Sequence, residues 1–209
     1  MSDVSTTRLS SRHSLALPNL LTYARIAAVP VVVACIYWES ILEGPLWLRW
    51  VALGVFIVAG VTDFFDGYLA RAWAQQSDFG QMLDPIADKL LVASCLLILS
   101  ADDTIKGWSL WAAVVILCRE ILVSGLREYL AGLRVSVPVT HLAKWKTAVQ
   151  LVAIGFLLAG DAGNAVMPFR IGPGLVTLVG LVLLWISAVL TLYTGWDYFR
   201  AGLHHLMKD

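Results

Sequence analysis

Six long apolar stretches dominate the pattern of hydrophobic and polar positions along the chain. They lie near residues 20–38, 48–70, 83–100, 108–130, 147–160 and 174–196. Clusters of polar residues, Gly and Pro separate them, and the loops are too short to hold a second domain. A bilayer core of about 30 Å needs roughly 20 residues of helix. The pattern therefore predicts an all-α, polytopic membrane protein with six transmembrane helices, the fifth of them short.

The composition agrees with this pattern. Hydrophobic residues make up 59% of the 209 residues and charged residues 14%, whereas soluble proteins average about 45–50% and about 25%. A soluble fold of this size has too little core for so much apolar surface. Mean hydropathy is +0.76. These values exclude a soluble enzyme, a disordered chain and a nucleic-acid-binding protein.

The basic residues predict the orientation, because cytoplasmic loops are rich in Lys and Arg. With a cytoplasmic N-terminus, three of the 15 basic residues fall outside, Arg49, Lys106 and Arg170, and the other 12 fall inside. Both termini are therefore expected in the cytoplasm of a bacterial-type inner membrane.

The chain is expected to form one transmembrane domain with short cytoplasmic ends. That domain spans residues 18–200, after an N-terminal segment 1–17 and before a tail 201–209. Residues 5–17 are polar and basic, and they fit either a short interfacial helix or a flexible tail.

Four aspartates mark the boundary between the second and third spans. Asp63 and Asp66 are three residues apart, and Asp84 and Asp88 are four apart. Both spacings place two side chains on one face of a helix, and the short link turns the two pairs toward each other. Carboxylates at a membrane boundary need neutralisation, and hard oxygen ligands suit Mg²⁺, Mn²⁺ or Ca²⁺. The cluster predicts a two-metal phosphate site.

Small residues accompany the acids. Gly67 and Ala70 follow the first pair, and Gly80 precedes the second. They would let a phosphorylated ligand approach the backbone, and Arg71 could bind its phosphate in a bidentate manner. A stripe of small residues is also typical of helix packing.

The complete spacing, D-x2-D-G-x2-A-R-x8-G-x3-D-x3-D from Asp63 to Asp88, resembles the signature of the CDP-alcohol phosphotransferases. The segments LPNLLTYARIAAVP, CREILVSGLREYLA and KWKT look like the branch of that family that forms phosphatidylglycerophosphate. The resemblance extends from Pro18 to about Arg200.

This resemblance implies a reaction and an assembly. CDP-diacylglycerol and sn-glycerol 3-phosphate would give phosphatidylglycerophosphate and CMP, with two Mg²⁺ or Mn²⁺ ions per site. It also implies six transmembrane helices, a homodimer among membrane lipids and a polar cavity open to the cytoplasm.

The resemblance also implies residue roles. Asp63, Asp66 and Asp84 would hold the cations, and Asp88 would be the general base and a further metal ligand. The remaining residues assigned to CDP-diacylglycerol are Asn19, Thr22, Arg25, Gly67, Ala70, Arg71, Ser77 and Gly80.

A phosphorylated acceptor needs positive charge beyond the metal ions. Arg119 and Arg127 are eight residues apart, so both can face one cavity. Lys144 and Lys146 lie at the predicted cytoplasmic end of the fifth span. All four are predicted to bind the acceptor phosphate. Arg127 and the two lysines would alternatively be anchors that reach toward lipid headgroups.

Other functions remain as alternatives. Within the family, the same residues would suit the synthesis of phosphatidylinositol phosphate or cardiolipin. Outside it, membrane aspartates also occur in divalent-cation transporters, although these four lie at one boundary and the chain shows no inverted repeat.

Overall fold

The computed structural model describes residues 17–73, 78–132, 141–166 and 174–206. For part of the helical residues, 17–19, 63–73, 78–81, 84, 131, 141, 143–144, 197 and 201–206, it describes the backbone alone. Of the N-terminal segment predicted as an interfacial helix or tail, only Leu17 lies within these residues.

The described residues are almost entirely helical, with the connections at 41–46 and 102–108 also described. The bounds of the helices are α1 Leu17–Ser40, α2 Trp47–Trp73, α3 Asp78–Ala101, α4 Ser109–Gly132, α5 His141–Val166 and α6 Leu175–Leu206. No strand occurs in this part of the chain. The prediction of an all-α fold is confirmed.

Two compact units make up the chain, Met1–Ile98 and Leu99–Asp209. The first contains α1, α2 and most of α3, and α1 packs along α2. The second contains α4, α5 and α6, and α6 packs against both of the others.

The α1–α2 hairpin of the first unit is closed by a buried ion pair. Arg49 Nε donates to Glu39 Oε2 at 2.7 Å, and both side chains are largely excluded from the surface. The turn between them is tight at Gly44, because a Cβ there would lie 2.7 Å from the Trp38 carbonyl oxygen. The turn therefore depends on glycine at this position.

Helices α5 and α6 of the second unit pack closely along their length. A Cβ added at Gly180 would lie 2.8 Å from Leu157 Cγ, and one at Gly163 would lie 2.9 Å from Val176 Cγ1. Residue 157 of α5 lies against residue 180 of α6, whereas the later residue 163 of α5 lies against the earlier residue 176 of α6. The two helices are therefore antiparallel, with glycine at their closest contacts.

Helix α5 is longer than the pattern predicts. The predicted span ended near residue 160, but the helix continues to Val166 through a kink at Gly160, where φ is 36°. Asn164 explains the continuation, because its Oδ1 accepts a hydrogen bond from the Val176 N–H at 2.9 Å and its Nδ2 donates to Thr177 Oγ1 at 3.1 Å. This polar residue joins the end of α5 to the beginning of α6.

The surface of the helices is that of a membrane protein. Within the described residues, four stretches are long and apolar enough to cross a bilayer: Leu20–Ser40, Ser109–Leu130, Trp145–Val166 and Leu175–Arg200. A shorter apolar stretch, Trp47–Thr62, begins α2. Large apolar side chains such as Ile121, Val189 and Leu97 point outward from the helices. The chain is a multi-pass membrane protein, and the count of six spans stays a prediction.

Candidate active site

The four aspartates of the sequence motif lie on two consecutive helices of the first unit. Asp63 and Asp66 fall in α2, directly after its apolar stretch, and Asp84 and Asp88 fall in the first half of α3. The helix continues past the first pair to Trp73. Of the four side chains, the structure describes that of Asp88.

Asp88 is bound by an arginine from the first helix. Arg25 Nη1 donates to Asp88 Oδ1 at 2.8 Å. The Arg25 side chain is 1% exposed, whereas that of Asp88 is 49% exposed. The buried guanidinium therefore holds one carboxylate oxygen of a side chain that is itself half exposed.

Thr22 and Arg25 belong to the same buried face of α1. They are three residues apart, and both are about 1% exposed. Helix α1 thus contributes two buried polar side chains to the first unit, of which Arg25 contacts the α3 aspartate. Sequence analysis assigned both residues to the CDP-diacylglycerol site, and that assignment stays a prediction.

The other predicted donor-site residues lie outside the described side chains. Asp63, Asp66 and Asp84 belong to this set, together with Asn19, Gly67, Ala70, Arg71, Ser77 and Gly80. All of these except Ser77 have a described helical backbone. Their predicted roles are therefore untested by the geometry.

The donor set fits a divalent metal ion by its chemistry. It consists of aspartates at spacings of three and four on two consecutive helices, which are hard oxygen ligands for ions such as Mg²⁺ or Mn²⁺. Among the described side chains, no group of three or more His, Cys, Asp or Glu forms a metal site. Three of the four aspartates are not among those side chains, so the metal site stays a prediction.

A second polar cluster lies inside the second unit, around Lys146. Lys146 is 5% exposed, and its Nζ donates a short hydrogen bond to Glu120 Oε1 on α4. The same carboxylate oxygen lies 3.6 Å from Arg119 Nη1. The closest described partner of Glu120 is therefore Lys146, and the adjacent Arg119 lies further away. Since a headgroup anchor must reach the surface, the anchor interpretation is wrong for Lys146.

Both predicted arginines of α4 are bound to α6. Arg119 Nη2 donates to Thr194 Oγ1 at 3.1 Å. Arg127 Nη2 donates to the Tyr198 hydroxyl at 3.4 Å, and its guanidinium carbon lies 5.6 Å from the centre of that ring. Cation–π contact of this kind holds an arginine side chain in place.

The cluster is positively charged as a whole. Arg119 and Arg127 are both close enough to repel the charge of Lys146, and Glu120 is the one acid that the described contacts place among them. Three cations and one carboxylate leave an excess of positive charge. Since like charges are costly in a partly buried place unless an anion offsets them, the cluster can bind a phosphate. The side chain of Lys144, the fourth predicted member, lies outside the described set.

Sequence analysis missed the α6 side of this cluster. Ser187, Thr191, Thr194 and Tyr198 follow each other at spacings of four, three and four residues. These spacings place polar side chains along one face of an otherwise apolar helix, and all four are buried. The signal was present in the sequence, since such a face in a membrane helix indicates a polar interior.

Gly195 leaves room for the side chain of Arg119. A Cβ at this position would lie 3.0 Å from Arg119 Cγ and 3.2 Å from Arg119 Nε. Gly195→Ala is therefore expected to displace the guanidinium and to raise the KM for a phosphorylated acceptor about threefold to tenfold, because charge-assisted hydrogen bonds depend on geometry. Steady-state kinetics at saturating lipid donor measures the change.

The matched control for this change is Gly125→Ala on α4. A Cβ at Gly125 meets nothing within 4 Å, so the KM should stay at its wild-type value. Equal effects of the two substitutions would show that Gly195 has no particular relation to Arg119.

The comparison with known proteins identifies the family. The family model described as CDP-alcohol phosphatidyltransferase matches residues 15–193. The chain belongs to the CDP-alcohol phosphatidyltransferase family. The resemblance inferred from the aspartate motif is thereby confirmed, and members of the family generally depend on divalent metal ions.

Curated CDP-alcohol phosphatidyltransferases resemble the chain over nearly its whole length, each named CDP-diacylglycerol–glycerol-3-phosphate 3-phosphatidyltransferase. The protein of Cereibacter sphaeroides is 42% identical, over 92% of this chain and 98% of its own. That of Rickettsia bellii is 45% identical, over 88% and 94%. That of Pectobacterium atrosepticum is 38% identical, over 92% and 97%.

Proposed function

We propose that the protein transfers the phosphatidyl group of CDP-diacylglycerol to sn-glycerol 3-phosphate, releasing phosphatidylglycerophosphate and CMP. The observation that carries this proposal is the cationic cluster formed by the buried Lys146, the partly buried Arg119 and the exposed Arg127. It suits an acceptor that is itself a phosphate. The names of the relatives favour glycerol 3-phosphate over inositol phosphate or phosphatidylglycerol as that acceptor.

The donor belongs to the first unit in this proposal. Asp63, Asp66 and Asp84, with Asp88, would hold two Mg²⁺ or Mn²⁺ ions. Bound metal ions supply charge neutralisation for the diphosphate and for the leaving CMP. Arg71 follows Asp66 on α2. Arg25 on α1 donates a hydrogen bond to Asp88. The helix positions of Gly67, Ala70 and Gly80 would keep the backbone accessible to the nucleotide.

Asp88 acts as the general base. Its carboxylate takes the proton of the acceptor's C1 hydroxyl, and the hydroxyl oxygen forms a bond to the β-phosphorus of the donor. The bond between that phosphorus and the oxygen of CMP breaks, and CMP leaves with the electron pair. Arg25 holds Oδ1 of the base at 2.8 Å, which orients the carboxylate for this step.

The acceptor is proposed to bind at the cationic cluster around Lys146. Its phosphate dianion binds to Lys146 and Arg119, and Arg127 adds positive charge. Since a guanidinium can bind two phosphate oxygens at once, Arg119 fixes the orientation of the acceptor as well as its affinity. Lys144 is proposed to complete the site.

Several further properties belong to this proposal. The N- and C-termini and the active site face the cytoplasm of a bacterial-type inner membrane, and the protein is a homodimer. Residues 18–200 form the catalytic domain, preceded by the segment 1–17 and followed by the tail 201–209. A divalent-cation transporter is not retained, because the chain belongs to a transferase family.

The test is CMP release by the purified protein from CDP-diacylglycerol with a panel of alcohols. Glycerol 3-phosphate should support release, whereas serine, glycerol and inositol 1-phosphate should not. EDTA should stop the reaction, and Mg²⁺ or Mn²⁺ should restore it. Release with every alcohol, or with inositol 1-phosphate alone, would contradict the proposed acceptor.

A further inference from the structure

Three uncharged polar side chains lie buried in the second unit next to the cationic cluster. Gln150 on α5 is 3% exposed, and Ser187 and Thr191 on α6 are fully buried. Gln150 Oε1, Ser187 Oγ and Thr191 Oγ1 have no hydrogen-bond partner within the described part of the chain. We call these three side chains the neutral patch.

The packing of α5 against α6 brings the members of the neutral patch to matching levels. Leu157 faces Gly180. Gln150 precedes Leu157 by seven residues and Ser187 follows Gly180 by seven, which is about two turns on each helix. Because the helices are antiparallel, Gln150 faces Ser187. One turn further, Lys146 faces Thr191. The neutral patch is therefore continuous with the cluster around Lys146, and Gln150 lies about 6 Å deeper in the α5 span than Lys146.

Leaving these atoms without partners costs free energy. A buried polar group without a hydrogen bond keeps the full cost of losing its water, and the hydrocarbon of the bilayer supplies none of the missing bonds. Arg119 Nε is also buried and has no hydrogen-bond partner within the described part of the chain. Three oxygens and one N–H thus remain to be paired, at the deep side of a cluster suited to phosphate. The two hydroxyls can donate and accept hydrogen bonds and the amide carbonyl accepts them, which complements a ligand hydroxyl.

We propose that the neutral patch binds the hydroxyl on the carbon next to the phosphorylated carbon of the acceptor, and so selects phosphorylated polyols over simpler alkyl phosphates. This inference rests on the proposed function, since the cations around Lys146 hold the acceptor phosphate there. The spacing is compatible, because this hydroxyl is four bonds from the phosphorus and Gln150 lies only about one helical turn deeper than Lys146. Gln150, Ser187 and Thr191 are then specificity-determining residues.

Binding to the full-length protein tests the inference without turnover. Calorimetric titration compares glycerol 3-phosphate, 1,3-propanediol monophosphate and inorganic phosphate; the second compound lacks the central hydroxyl. The wild type should bind glycerol 3-phosphate about tenfold more tightly than 1,3-propanediol monophosphate. Ser187→Ala with Thr191→Val should abolish this preference and leave the affinity for inorganic phosphate unchanged.

Thr177→Val is the matched control, because it removes a hydroxyl from α6 that is already bonded to Asn164. It should keep the tenfold preference. If the double variant fails to fold, Thr191→Val alone, which conserves side-chain volume, gives the same readout. A wild type without the preference, or variants that retain it, would overturn the inference.

The same experiment separates this inference from the proposed function. A wild type that shows the preference but releases no CMP from CDP-diacylglycerol and glycerol 3-phosphate would refute the reaction and leave the neutral patch standing. Normal CMP release by variants with an unchanged preference would refute the neutral patch and leave the reaction standing.

Discussion

Asp88→Asn should lower the rate of CMP release roughly 10²- to 10⁴-fold, the range typical of a lost general base. The amide cannot take the proton of the acceptor hydroxyl. It still offers Oδ1 to Arg25, which donates to that atom at 2.8 Å, so the contact between α1 and α3 survives. Single-turnover kinetics with saturating substrates measures the loss, and the yield of monodisperse protein reports the fold.

Asp103→Asn is the control for this substitution. Asp103 has a φ of 59° in the turn after α3, a conformation that asparagine also tolerates. It should leave the rate unchanged. Turnover of Asp88→Asn at the wild-type rate would remove Asp88 as the base.

Lys146→Met should have the second largest effect, because it removes a cation from the acceptor site and the main partner of Glu120. The KM for glycerol 3-phosphate is expected to rise about 100-fold, because a hydrogen bond to a charged group contributes about 1.5–3 kcal/mol. The free energy of unfolding should fall by about 2 kcal/mol, because Glu120 is left without this cation. This is less than the roughly 3–5 kcal/mol of a fully buried pair, since the Glu120 side chain is 20% exposed and Arg119 lies 3.6 Å away.

The double variant Lys146→Met, Glu120→Gln separates the two roles of Lys146. Neutralising the carboxylate should restore most of the lost stability, because no unpaired charge remains. The KM for glycerol 3-phosphate should stay high, as measured by steady-state kinetics at saturating donor. Recovery of a wild-type KM together with stability would mean that Lys146 holds the fold and does not bind the acceptor.

Helical periodicity accounts for what the sequence predicted well. The spacing of Arg119 and Arg127 placed both on a common side of α4, and both do bind side chains of α6. Such a prediction needs only the geometry of one helix. The aspartate motif likewise identified the family, because its residues are fixed by chemistry rather than by packing.

Contacts between helices were harder to predict. Glu120 directly follows Arg119, and the two lie 3.6 Å apart as an ion pair. Its closer partner is Lys146, 26 residues further along the chain. That pairing depends on the register of α4 against α5, which no pattern within either helix determines.

The polar face of α6 was overlooked for a different reason. Ser187, Thr191 and Thr194 are small and uncharged, and serine and threonine in membrane helices commonly bond to their own backbone. Thr194 does so, with Leu190 O at 2.9 Å. The Ser187 and Thr191 hydroxyls form no such bond in the described residues, and only the three-dimensional structure shows this difference.

The most direct test of the account is the identity of both products. Purified protein with CDP-diacylglycerol, glycerol 3-phosphate and Mg²⁺ should yield phosphatidylglycerophosphate and CMP in equal amounts by mass spectrometry, because the acceptor hydroxyl attacks the β-phosphorus. Phosphatidic acid with the CMP ester of glycerol 3-phosphate would show attack at the other phosphorus. Phosphatidic acid with CMP would show hydrolysis by water, and either pair would contradict the transfer reaction.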